Sequence, residues 1–441
     1  MARAGWLASA RRCGVFLPAR FRGNVCISHP HVRACCRGLL PRRGLLGSRG
    51  SLSWRGSLGQ CGSPGECGSP GWRNSPGWRG LATQLAMPGR LHSRTRLRSI
   101  GFLALLASLG AREPASAANA APLTLEARIP LGDVSGRIDH LAFDPTRQRL
   151  YVAELGNNSI GIVDLETRKV IRTVPGFNEP QGIAYEPSTD TIYVASGGDG
   201  TTRIFRGADF TPLGALSLGT DADNVRIDRE AHRVYVGYGD GALAVIDAAT
   251  RTRIANIPLQ GHPESFQLDP NGDRIFVNVP DAGHIAVVSR AKNQQVTTWP
   301  TGNLRANYPL ALDPPGSRVI AVFRSPARLQ TYDTRTGRAQ NGIDVCSDSD
   351  DVFADSARHE IYVICGQGYV DVLDASGERL TSAGRFATSS GSRTGLFVPE
   401  LDRLFVAIRA SHDEPAAIWV LKPTARTASR AGDHPAQSSI H

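Results

Sequence analysis

RLYVAELGNNSIGIVDLETRKVI, residues 149–171, sets two alternating apolar runs on either side of Gly156-Asn157-Asn158. Val, Ile and Tyr at every second position suit a pleated, half-buried strand, and a Gly/Asn cluster between two such runs reads as a β-hairpin. The chain then writes the hairpin again: TIYVASGGDGTTRIF from Thr191, RVYVGYGDGALAVID from Arg233 and RIFVNVPDAGHIAVV from Arg274. The bulky anchor of the repeated strand falls at Tyr151, Tyr193, Tyr235, Phe276, Ile320, Tyr362 and Phe405, at spacings of 42, 42, 41, 44, 42 and 43 residues.

Each copy carries a short strand before the anchored one, and in six copies that strand closes on an acid: Asp144, Glu186, Asp228, Asp269, Asp313 and Asp355. A third and a fourth strand follow the hairpin turn. Four short strands in about 42 residues is the signature of a β-propeller blade. A single four-stranded sheet cannot bury both faces, whereas sheets stacked in a ring can. The fold expected is therefore all-β, a seven-bladed β-propeller. The last copy supplies three strands and then a polar tail. LTLEARIPLG, residues 123–132, resembles the missing fourth-strand text, so this N-terminal strand of the mature chain is expected to close blade seven. An open edge there would be a template for unwanted pairing.

Outside the repeats the composition changes. Residues 1–86 hold 13 Arg, one acid, six of the eight Cys and repeated GSPG and GWR text, a low-complexity Arg/Gly/Ser-rich pattern that cannot offset ordering entropy by burial. From Met87 a basic run with four Arg leads into IGFLALLASLG and then AREPASAANA, the three parts of a secretory signal peptide. The expected organisation is an extension over 1–86 (a mis-called start or a disordered tail), a signal peptide over 87–120, the propeller over 121–424 and a disordered tail over 425–441. The protein is therefore expected to be periplasmic or secreted, with no transmembrane span in the mature part. It also relocates the charge: the first 120 residues carry +16 against +10 for the chain, so the mature part carries −6 and no nucleic-acid partner is read from it. Only Cys346 and Cys365 remain in the mature part, and two thiols in an exported domain are expected to form a disulfide.

YVAE, YVAS, YVGY and YVIC, each followed by a Gly-containing turn and, in several copies, V-x-V-I-D-like text, resemble the YVTN-repeat (YncE-like) β-propeller proteins of bacteria across essentially the whole mature chain. Blades four and seven depart from it with Phe for Tyr, and blade five reads VIAV. The resemblance implies a fold and no single reaction.

In a propeller the residues entering the first strand of each blade gather around one mouth of the channel. Here they include Asp139 and His140, Gln181, Asp223 and Asn224, Glu264, Tyr308, Asp350 and Asp351, and Arg393. Convergent polar groups from every repeat make this face the candidate ligand-binding site. Asp139, Asp223, Asn224, Glu264 and Asp350 are hard oxygen donors of the kind that hold Ca²⁺ or Mg²⁺, and His140 beside Asp139 is a candidate general base. A similar propeller carries the metal-dependent lactone hydrolases of the gluconolactonase type. Two readings follow: a non-catalytic, monomeric binding scaffold for a small polar molecule or an envelope protein, or a divalent-metal-dependent hydrolase of lactone-like substrates. No C-x-x-C-H, G-x-S-x-G, H-E-x-x-H or P-loop motif is present. The acids recurring once per blade are expected to hold turns.

Overall fold

Each of the first six copies of the repeat folds into one four-stranded antiparallel sheet, and the seventh contributes three strands to a sheet of four. In blade one the strands run Leu141–Asp144, Arg149–Glu154, Ser159–Asp164 and Lys169–Pro175, paired in sequence order. The structure, a computed structural model, describes residues 26–29, 32–35 and 121–424. The signal-peptide segment, the C-terminal tail and most of the segment before Met87 lie outside the described residues. A separate two-stranded antiparallel ribbon pairs Cys26–His29 with Val32–Cys35.

The seven sheets form a ring. Each innermost strand touches that of the next blade, and the innermost strand of blade seven, Gly395–Val398, touches that of blade one. Thr394 also donates a hydrogen bond to the carbonyl of Ile138 across the same junction, at 3.0 Å. The outermost strand of the seventh sheet is Leu123–Pro130, antiparallel to Ala417–Pro423. Seven apolar clusters fill the seven gaps between facing sheets. The anchors sit in these gaps: Tyr151, Tyr193, Tyr235, Phe276, Ile320 and Tyr362 are fully buried. Among the described residues, no helix is long and apolar enough to cross a membrane.

The repeated acids hold turns. Asp144 accepts the Thr146 and Arg147 amides at 2.9 and 3.1 Å, and Glu186 accepts those of Ser188 and Thr189 at 3.1 and 2.7 Å. After the third strands Asp164, Asp247 and Asp333 each accept the amide three residues on, at 2.7 Å. These are Asx-type turns, local hydrogen bonds that let the chain reverse without a ladder.

Candidate functional site

The inner strands do not begin as regular strands. In blades two, three, five and six their pairing slips at Pro180/Ile183, Ala222/Val225, Asn307/Leu310 and Ser349/Asp351. Immediately before the residue where each slip begins, Glu179, Asp221, Ala306 and Asp348 hold left-handed backbone, with φ of 50°, 43°, 58° and 60°. A left-handed residue followed by a bulge breaks the alternation and re-aims the side chains that follow. Those side chains are Gln181, Asp223, Tyr308 and Asp350. Blades one and four reach the same place without a slipped ladder, by the hydrogen bonds Asp139 N to Ala153 O (2.8 Å) and Glu264 N to Asn278 O (3.0 Å). In blade seven Ala407 N reaches Thr394 O at 3.0 Å, next to Arg393. A bulge in four blades and a backbone hydrogen bond to the second strand in the other three therefore present Asp139, Gln181, Asp223, Glu264, Tyr308, Asp350 and Arg393, one from each blade, at corresponding places.

Six of those seven join a charged network; Gln181 turns to Asp221, 3.3 Å away. Arg137 donates to Asp139 at 2.7 Å and stands 3.8 Å from Asp350. Asp350 also takes Arg324 at 2.6 Å and Arg393 at 3.3 Å, and Arg393 bonds Asp348 at 2.7 Å. The Arg324 guanidinium lies 4.1 Å from the centre of the Tyr308 ring, in cation–π contact. Asp351 accepts the Gly395 amide at 2.9 Å, which ties blade six to blade seven. Arg226 reaches Ser265 of the next blade at 3.3 Å.

The sequence pattern did not single out Arg137, Arg226 or Arg324. Arg324 carried a signal. It stands just after the anchored segment of its copy, where copies two, three and six have Gly197, Gly239 and Gly366. An arginine in a glycine's place is an added reach. In the cysteine hairpin Asp351 lies opposite Ile364, and the bulge removes Asp350 from the ladder.

His140 lies between two carboxylates, with Nε2 3.7 Å from Asp139 and Nδ1 3.5 Å from Asp351. Burial opposes its protonation, but the charges of Asp351 and Asp139 outweigh that and push its pKa up to about 10. At neutral pH it is an imidazolium and a poor general base. The sign for stability follows. The contribution of His140 is fully present below the unfolded value of about 6.5 and is lost as pH rises through about 10. His140→Gln is therefore expected to lower the melting temperature most near pH 6, with the deficit shrinking towards pH 10. A deficit that does not change with pH would show that the charge of His140 is not what holds it there.

Other carboxyls in the ring shift too. Burial, with the charges of Asp223 and Asp350, pushes Glu264 up to about 9, and burial raises Asp223. Asp350 is pushed up to about 6 by burial, against the pull of Arg324. The oxygen donors considered for a cation are thus divided. Asp139 and Asp350 are ion-paired with arginines, while the carboxyls of Asp223 and Glu264 make no ion pair among the described residues. Among the described residues no three His, Cys, Asp or Glu side chains are grouped closely enough to hold a metal ion.

No protein-family model matches the chain. It is similar to the uncharacterised protein YncE of Salmonella typhi and to that of Salmonella typhimurium, each 25% identical over 193 residues, 42% of this chain and 49% of the relative. The chain thus spans about half the length of the curated relatives it matches. Among solved structures, a chain of Kuenenia stuttgartiensis hydrazine synthase is 15% identical with a TM-score of 0.55, covering 63% of this chain and 94% of that one. A chain of the mitotic checkpoint complex is 14% identical with a TM-score of 0.59, covering 74% of this chain and all of that one. These likenesses establish the fold alone.

Proposed function

We propose that the chain is an exported, non-catalytic β-propeller scaffold that binds a small polar ligand at the channel face. The observation that carries this is the ring of inner-strand entrances, in which six of the seven blades contribute a polar side chain to one charged network. The groups are recessed: Asp139, Asp223, Asn224 and Asp351 are 1, 7, 2 and 7% exposed. A small molecule reaches into such a recess, whereas a flat protein partner meets its rim. Export is supported by the basic, apolar and small-residue pattern of 87–120, and the Cys346–Cys365 bond is compatible with it. The hydrolase alternative has less support, since His140 is held protonated and the oxygen donors are dispersed among arginines.

The test is thermal melting of the full chain against a panel of small polar amines, amino acids, sugars and sugar acids, repeated with Arg324→Ala. A ligand at about 100 times its dissociation constant adds roughly 2.7 kcal/mol of stability. The expected result is a clear rise in melting temperature that Arg324→Ala, which releases Asp350 and Tyr308, abolishes. A shift untouched by that variant would place binding elsewhere. Chelator-sensitive hydrolysis of a lactone would replace the scaffold with the enzyme.

A further inference from the structure

Most carboxylates at the channel mouth have an internal partner. Asp139 has Arg137 at 2.7 Å, Asp350 has Arg324 at 2.6 Å, Asp348 has Arg393 at 2.7 Å, and Asp351 has the Gly395 amide at 2.9 Å. Two acids differ. Asp223 is 7% exposed, and its Oδ1 is buried with no hydrogen-bond partner among the described residues. Glu264, from the next blade, has neither a hydrogen bond nor an ion pair on its carboxyl among the described residues. The two are neighbours around the ring, and the charge of Asp223 acts directly on Glu264. Asn224, beside Asp223 in the bulge and 2% exposed, leaves its own Oδ1 buried without a donor. A buried acceptor left without a donor costs about 1–3 kcal/mol, so unfilled acceptors at a channel mouth point to a donor that arrives from outside.

On the reading that this face binds a small ligand, we propose that Asp223 and Glu264, with Asn224, recognise the primary ammonium group of a small organic molecule. A primary ammonium has three N–H donors, which the carboxyls of Asp223 and Glu264 and the Asn224 amide oxygen can accept. A divalent metal asks for six or more oxygens at one point, and the carboxylates nearest to these two are already engaged by Arg137, Arg324 and Arg393. A quaternary ammonium asks for bare aromatic faces, and Arg324 stacks on the Tyr308 ring.

Proton balance follows from the surroundings. Asp223 feels His140, Asp139, His262 and Asp221, and faces Arg226. Glu264 feels Asp223, Asp350, Arg324 and Asp139, and acts on Arg137 and Tyr308. With Glu264 pushed up to about 9, it holds its proton at neutral pH in the free protein. Forming the ammonium–carboxylate pair sends that proton to solvent, so binding strengthens as pH rises until the ligand's own ammonium deprotonates.

The experiment is calorimetric titration of the full chain with ethanolamine, choline and acetate near pH 7.5. It uses two buffers of different ionisation enthalpy, neither of them a primary amine. The expected result is ethanolamine binding with a dissociation constant on the order of a millimolar, net proton release, and at least tenfold weakening in Glu264→Gln and in Asp223→Asn. Glu264→Gln copies the protonated carboxyl, so its melting temperature at pH 7 is not expected to fall, and its binding defect is not a folding defect. Choline binding as well as ethanolamine, ethanolamine binding both variants normally, or no ethanolamine binding would each overturn the proposal. Acetate binding that Arg324→Ala abolishes would overturn the ammonium assignment yet leave a ligand-binding channel face. If none of the three probes bound and the panel gave no shift sensitive to Arg324→Ala, both would fall.

Discussion

Tyr151→Ala is expected to destabilise the propeller by about 3–5 kcal/mol, the usual range for removing a large ring from a close-packed core. The ring is fully buried between blades one and two, with ring centres 6.2 Å from Tyr185 and 6.3 Å from Phe210. Its hydroxyl lies 3.1 Å from Asp144 Oδ2 and 3.3 Å from the Gly207 carbonyl. Tyr151→Phe keeps the ring and loses only that hydroxyl. Asp144 Oδ2 retains Arg147 at 2.8 Å, so the cost expected is about 1 kcal/mol. In a domain of this size the two variants should separate by several degrees in melting temperature, roughly 2–4 °C per kcal/mol. Equal costs would mean that the hydroxyl, not the ring, makes the anchor position matter.

That anchor was legible because every blade meets the same packing demand. A sheet that stacks on two neighbours needs a bulky residue at one register, and the demand recurs each time the chain returns. Thus Tyr151, Tyr193, Tyr235 and Tyr362 announce themselves in the sequence. The positions of the channel-mouth residues were also legible, since polar residues ahead of an apolar inner strand stand out. What they do to one another was not. Arg324 belongs to blade five and its partner Asp350 to blade six, 26 residues on. That pairing depends on which sheet lies beside which and on where a bulge turns Asp350 out of the ladder. Periodicity carries the ring but not the bulge, because a bulge is the point at which a strand's period of two fails. Composition alone made Asp139, Asp223, Asn224, Glu264 and Asp350 look like one set of oxygen donors. The arginines that divide them arrive from other strands and other blades.

The second large effect concerns blade six. Cys346 and Cys365 are bonded in the structure, with their Cα atoms 5.8 Å apart across a separation of 19 residues, and both are buried, at 2 and 0% exposed. The bond closes the hairpin whose first arm carries Asp348, Asp350 and Asp351. The Cys346 amide is held in turn by Asp371 at 2.7 Å, and Asp371 by Arg385 at 2.8 Å. Closing a loop of this length in the unfolded chain is worth about 3 kcal/mol by the chain-entropy estimate. Replacing both cysteines by alanine is expected to remove about that much, measured by chemical denaturation, and to lower the melting temperature by several degrees. A second consequence lies at the channel mouth. Arg324 and Arg393 are oriented by Asp348 and Asp350, and freeing the arm that carries these acids should weaken binding of any ligand that uses the network. The folded protein should resist reductant, because both sulfurs are covered, and lose the bond once denaturant opens blade six. Peptide mapping of the unreduced chain that found both cysteines alkylated would remove the basis of the prediction. A double variant as stable as the parent would show that the hairpin is held by its ladder and by Asp371 without the bond.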